Sequence, residues 1–319
     1  MRHERRLLVL SAIVGIAIFS NAPAQDDYSG EGECISDFLS PIKGKVGYIF
    51  ITDYMFRGLN MSDILGGHVG RGNHELMYGI SVGLSDLGIS DVGTLGITMK
   101  HAFMSHYQNT TANYAKTDFS ASLTMPWSML EAVDGQVSIV YRNYKWHNQN
   151  TYTGGDERTQ EFSFGLAFND APVIEALTGK TMDKSLLNPT IELIWDYELA
   201  DGGLLWLFGM SHPIDMAECM PELAGLTLTP SLTIAVDDRY YGSYTSNLTG
   251  GAVPKRDTTR FAYFDWGLMA SADLSEPLNI TCGSLGIQAG IGYLQALEKL
   301  APSILHDTVY SYVSLVYEW

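Results

Sequence analysis

The residues with the most chemical promise form a short glycine-flanked serine motif and a scatter of histidines. Gly79-Ile80-Ser81-Val82-Gly83 matches G-x-S-x-G. That motif activates a serine only where a strand turns sharply into a helix. Here it lies inside an alternating strand with no helix pattern after it, so Ser81 is predicted to line a pleat. His101, His106 and His147 lie near the ends of strand-like segments, with Asp118 opposite. A hydrolase would need such a histidine beside a carboxylate and a nucleophile. No spacing here brings the three together. His68, His74 and His106 share polar stretches but include no i,i+4 histidine pair and no thiolate set, so no metal site or cofactor is predicted. The three cysteines, Cys34, Cys219 and Cys282, are an odd number. The sequence leaves open which two pair; a Cys219–Cys282 bridge is one reading, with Cys34 free. These residues therefore point away from an enzyme.

The elements that carry them are more informative. Arg2, Arg5 and Arg6 precede an apolar run from Leu7 to Phe19, followed by Ala22-Pro23-Ala24. This is the pattern of a secretory signal, and residues 1–24 are predicted to be removed. Residues 25–43 read as a polar periplasmic segment. From residue 44 to 319, period-two segments recur. Phe119, Ala121, Leu123 and Met125 alternate with Asp118, Ser120, Ser122 and Thr124, and Phe162, Phe164, Leu166 and Phe168 with Glu161, Ser163, Gly165 and Ala167. Twelve such segments can be counted, ending in Ser311–Trp319. Long polar links such as "HYQNTTANYAK" follow several odd-numbered segments, whereas shorter links, often with a small apolar element, follow even-numbered ones.

One face of almost every segment carries large aromatics, while the other is dominated by Gly, Ser, Thr and Ala with isolated charges. Twelve strands closed in water would enclose a lumen too wide for side chains to fill. The pattern predicts an all-β, twelve-stranded antiparallel transmembrane barrel, with the apolar face toward lipid and the cell outer membrane as its location. Trp319 is then placed at the periplasmic interface, its backbone paired with the first strand. A net charge of −17 argues against nucleic acid as a partner.

The stretch Thr52–Asp63, "TDYMFRGLNMSD", resembles the TorF-type family of bacterial outer-membrane porins through its aromatic-Arg-Gly motif, Phe56-Arg57-Gly58. Tyr78–Leu87, "YGISVGLSDL", resembles that family's second strand. Asn60-Met61 follows Gly58-Leu59 where relatives read Ser-Gln after Gly-Ile. The resemblance implies passive transport and names no solute. The aromatic-ended last strand resembles the signal read by barrel-assembly machinery.

Strand parity puts Asp53, Arg57, Lys100, Asp118, Arg142, Glu161, Glu192, Asp196, Glu198, Asp237, Arg239 and Asp265 in the lumen, with Glu318 on the same parity. Acids outnumber bases in that set. The expectation is a channel for small hydrophilic solutes that prefers cations. The alternative is a narrow or plugged barrel serving as an enzyme or surface-binding scaffold.

Overall fold

A computed structural model describes residues 42–53, 55–57, 59–60, 72–90, 92–104, 114–130, 133–147, 157–182, 184–241, 258–297 and 305–319. The predicted signal, the residues up to 41 and Cys34 lie outside them, as do His68 and His106.

Twelve long strands form one closed antiparallel barrel. They are β1 (Ile42–Ile51), β2 (Asn73–Gly83), β3 (Thr94–Met104), β4 (Tyr114–Leu130), β5 (Val133–His147) and β6 (Glu157–Phe168). After them come β7 (Thr190–Asp196), β8 (Gly203–Ser211), β9 (Leu226–Asp238), β10 (Thr259–Asp273), β11 (Ser284–Ala296) and β12 (Thr308–Glu318). Each pairs with its sequence neighbours, and β1 closes on β12 with Lys45 opposite Glu318 and Ile51 opposite Tyr312. The last residue is tied as expected. Gly44 and Trp319 exchange both backbone hydrogen bonds at 3.0 Å, and the indole lies where a Cβ on Gly44 would stand.

Alternation sorts the side chains cleanly. Ile80, Ile97, Phe164, Trp195, Trp266, Leu268, Ile291 and Val313 point outward and are exposed. Their neighbours Glu161, Ser163, Ile194, Leu205, Ala235, Leu294 and Ser314 point inward and are buried. An exposed apolar outer wall is stable only against lipid or another apolar surface. Among the described residues no helix is long and apolar enough to cross a membrane.

Several boundaries differ from the sequence reading. β1 begins at Ile42 and stops at Ile51, so Asp53 and Arg57 lie beyond it. β7 ends at Asp196, and bends over residues 197–200 take Glu198 out of strand parity. β4 and β5 run to Leu130 and from Val133, so only residues 131–132 separate them. In the link after β6, Ala171–Thr178 form a short helix, α1. Asp170 ties that link together. Its carboxylate accepts from the Ser185 hydroxyl and from the backbone N–H groups of Leu186 and Leu187, at 2.7 and 2.9 Å for the latter two.

The Cys219–Cys282 bridge does not form. Cys282 is disulfide-bonded, whereas Cys219 is free and exposed. Cys219 precedes β9 and Cys282 precedes β11, two strand spacings apart.

Candidate functional site: a constriction across the lumen

A twelve-stranded wall is too wide for its own side chains to fill, yet much of the extracellular half of this lumen is dry. The chain leaving β1 explains it. Beyond Thr52, which is held to β12 by a 2.9 Å bond from its N–H to the Ser311 carbonyl, a small hairpin pairs Met55–Phe56 with Leu59–Asn60. Arg57, at its tip, takes a left-handed φ of 53°. A non-glycine residue holds that conformation only where surroundings compensate it.

The compensation comes from the far wall. Arg57 Nη2 donates to Glu161 Oε2 at 2.7 Å and to the Tyr144 hydroxyl at 3.2 Å. Glu161 is on β6, five strands from β1, so this ion pair crosses nearly the whole barrel. The Tyr240 hydroxyl donates to the other Glu161 oxygen at 2.6 Å, and the Tyr241 hydroxyl donates to the Arg57 carbonyl. Tyr240 and Tyr241 follow β9 and are fully buried. Around them Tyr144, Ile194, Leu205, Ala235, Tyr263 and Leu294 form an apolar cluster against which Ile51 and Met55 pack. An ion pair so placed has lost its water. It is held by geometry and by the hydroxyls that satisfy the remaining carboxylate oxygen.

This cluster recasts the acids. Asp196 accepts from the Thr159 hydroxyl at 2.6 Å and from the N–H groups of Glu198, Leu199 and Ala200, so it caps the tight turn after β7. Asp237 caps Tyr241 N–H at 3.0 Å and pairs with Arg260 at 3.1 Å. Arg142 pairs with Glu192 at 3.1 Å and Lys116 with Asp118 at 2.9 Å, and the Lys116 ammonium lies 4.3 Å from the centre of the Tyr144 ring. Asp265 accepts from the Tyr310 hydroxyl at 2.9 and 3.0 Å. Asp53 is buried beside the hairpin, and Lys100 has the inward register of its strand, opposite Asp118.

Two members of the sequence-derived lumen set are elsewhere. Glu198 bonds to the exposed, outward Arg158 at 2.7 Å. Arg239 has φ 64°, which reverses its side, and it pairs with Asp238 while half exposed. Both positions follow the last residue of a strand, where alternation no longer governs direction. Conversely, Lys43, Lys45, Lys116, Arg260 and Glu75 are inward by register and were missed, because their strands begin earlier than the apolar alternation suggests.

The periplasmic half of the lumen is open. A cavity of about 460 Å³ is lined by Lys43, Lys45, Thr94, Thr98, Ser122 and Glu318 among others, and one of about 520 Å³ by Thr227, Ser271, Asp273 and Gln288. Lys45, Ser284 and Glu318 border both. Ser81 lies here within β2, with no helix behind it. His101 points outward, bonded to the Tyr78 hydroxyl and Thr117, while Asp118 points inward, so the two do not meet. His74 is also outward, against Tyr48 and Phe50, and the side chain of His147 lies outside the described ones. Among the described residues no cluster of His, Cys, Asp and Glu could hold a metal ion.

No family model matches the chain, and no curated protein matches it. Among solved structures it is similar to an outer membrane channel from Pseudomonas putida F1, at 10% identity and TM-score 0.42, over 87% of this chain and 95% of that one. It is similar to the β domain of the Bordetella autotransporter BrkA, at 9% identity and TM-score 0.39, over 86% and 98%. The translocator domain of the autotransporter NalP from Neisseria meningitidis is similar at 13% identity and TM-score 0.36, over 86% and 87%. At these scores the architecture rests on the strand pairing of the chain itself.

Proposed function

We propose that the chain is an outer-membrane channel of restricted bore, passing small hydrophilic solutes by diffusion. The observation that carries this reading is the closed, lipid-compatible wall around a polar periplasmic vestibule that narrows to the Arg57–Glu161 crossing. The resemblance of Phe56-Arg57-Gly58 to the TorF-type porins fits it, since Phe56 and Arg57 of that motif belong to the constricting hairpin. Arg57 would meet any solute at the narrowest level. Its guanidinium is neutralised by Glu161, so the crossing adds no net charge at that level.

The ion preference proposed is for cations, and it is weak. Most lumen acids in the packed half are spent on bases, turns or hydroxyls, and Lys43 and Lys45 stand beside Glu318 at the periplasmic mouth. A charge lining a wide, wet vestibule is screened over about 10 Å at 0.1 M salt. The reversal potential of the purified protein in a planar bilayer under a KCl gradient tests this. A small shift toward the cation potential is expected, and an anion potential would refute it.

The dry cluster favours a second reading, a barrel shut at its outer half that serves as a scaffold. Reproducible insertion without conductance would select it.

A further inference from the structure

In the packed half of the lumen the acids are taken up by bases, turns and hydroxyls. At the periplasmic mouth three charges are not. Among the described residues Lys43, Lys45 and Glu318 form neither an ion pair nor a hydrogen bond, and all three line the cavity of about 460 Å³. Lys45 and Glu318 stand directly opposite each other on β1 and β12. Opposite charges so placed ordinarily attract across the strands. Lys45 instead lies across Gly79 on β2, its Cε 3.1 Å from where a Cβ on that glycine would stand. Its ammonium is thereby carried toward β2 and β3 and away from the carboxylate. Lys43 shares the inward face two residues along, opposite Ser81, roughly 7 Å away along the strand.

The wall under these lysines is made of hydroxyls and bare backbone. Ser81, Thr94, Thr98, Ser122 and Thr124 line the same cavity from β2, β3 and β4. Among the described residues only Ser122 of these five has a hydrogen bond, a long one of 3.5 Å to the Gly96 carbonyl. The glycines between them make the room. A Cβ on Gly79 would come within 2.8 Å of Thr98 Oγ1, and one on Gly96 within 2.8 Å of Ser122 Oγ. Two ammonium groups repel a cation, and a floor of hydroxyls offers an apolar solute nothing. Flexible lysines place point charges on an oxyanion, and hydroxyls both donate and accept.

We infer that this side of the vestibule binds a small hydroxylated carboxylic acid, a solute class for the channel proposed above and resting on that reading. Lys43 and Lys45 take the carboxylate, and the hydroxyl floor of β2 to β4 meets the hydroxylated body. A chloride ion feels only the lysine charges, which salt screens in a wide vestibule. A larger anion is held by the charges and the hydroxyls together, so its binding and the weak ion preference read in KCl are separate quantities.

The test is calorimetry on the purified chain in detergent micelles, which needs no current, with gluconate, glucose and inorganic phosphate as probes. Gluconate is expected to bind at least about tenfold more tightly than glucose. Lys43→Gln/Lys45→Gln, with heat-modifiable mobility retained, should abolish that difference. Thr98→Val keeps both lysines and should weaken gluconate about threefold; should the double variant not fold, unchanged gluconate binding in Thr98→Val overturns the site. Equal affinity of the wild type for gluconate and glucose, or a difference that survives the double variant, also overturns it. Phosphate bound more tightly than gluconate overturns the carboxylate assignment. Gluconate bound by a protein that passes no current keeps the site and overturns the channel reading, whereas current without gluconate binding does the reverse.

Discussion

The two halves of the lumen are built from the same strands and solve opposite problems. Toward the periplasm the inward positions are Gly, Ser, Thr and a few charges, and the wall stands back around water. Toward the outside the inward positions are Tyr144, Ile194, Leu205, Tyr263 and Leu294, and a hairpin plus Tyr240 and Tyr241 fill what the wall cannot. A barrel of this size can be wet or dry at a given level. What decides is whether chain from a loop is folded inward and whether the wall offers it apolar surface and partners for its polar atoms. In the open half a charge is an exposed, screened group. In the packed half it must be paired.

The largest expected effect breaks that pairing. Arg57→Ala leaves Glu161, buried to 0% exposure, without its cation. It should cost about 3–5 kcal/mol in urea unfolding in detergent, whereas Arg57→Leu/Glu161→Leu should recover most of the loss. A double variant as unstable as the single one would show that the crossing is held by something else.

Glycine substitutions sharpen the contrast. A Cβ on Gly203 would come within 2.6 Å of Tyr240 Cα, a backbone atom in the packed half. Gly203→Ala is expected to destabilise by about 1–3 kcal/mol. A Cβ on Gly286, at the open end, meets nothing nearer than 3.9 Å, and Gly286→Ala should stay within about 0.5 kcal/mol. Equal melting shifts would argue that the halves are packed alike.

The periplasmic link gives a pH-dependent comparison. Burial works against the Asp170 carboxylate, but hydrogen bonds from Ser185 and from the Leu187 and Leu186 N–H groups outweigh it and hold its pKa below the usual carboxylate range. The stabilisation is therefore fully present above about pH 3.9, the ordinary aspartate value, and is lost as pH falls through the lower folded value. Pepsin nicking within residues 169–189 should rise at the acid end in the wild type. In Asp170→Asn it should be high and flat; a flat wild-type profile would remove Asp170 from this role.

The smallest effect belongs to the vestibule. Glu318→Gln, opposite Lys45 at the closing seam, should move the KCl reversal potential slightly toward the anion side and leave stability unchanged. A large change would place the selectivity filter at the periplasmic mouth rather than at the constriction.

The wall was legible because alternation against lipid admits few exceptions: Phe162 to Phe168 or Leu285 to Tyr293 reads as strand whatever surrounds it. β8 is the instructive weak case. Its apolar residues on both faces obscure the period, because Leu205 and Leu207 turn inward onto the dry cluster rather than onto water. The constriction was not legible. Whether a hairpin after β1 folds over the lumen or away depends on Glu161 and Tyr240, 104 and 79 positions distant from Arg57 and Glu161 respectively, and no local pattern encodes that. Glu161 and Glu192 face inward, as the parity of their strands reads, whereas Glu198 and Arg239, one or two residues past a strand end, do not.

The central claim is that a hairpin latched by Arg57 sets the bore. Single-channel conductance of the wild type beside Arg57→Ala, in the same bilayer and salt, tests it most directly. The account predicts a small conductance in the wild type and a severalfold larger one in the variant, because loss of the latch frees the hairpin from the far wall. Identical conductances in two correctly folded, heat-modifiable proteins would contradict it.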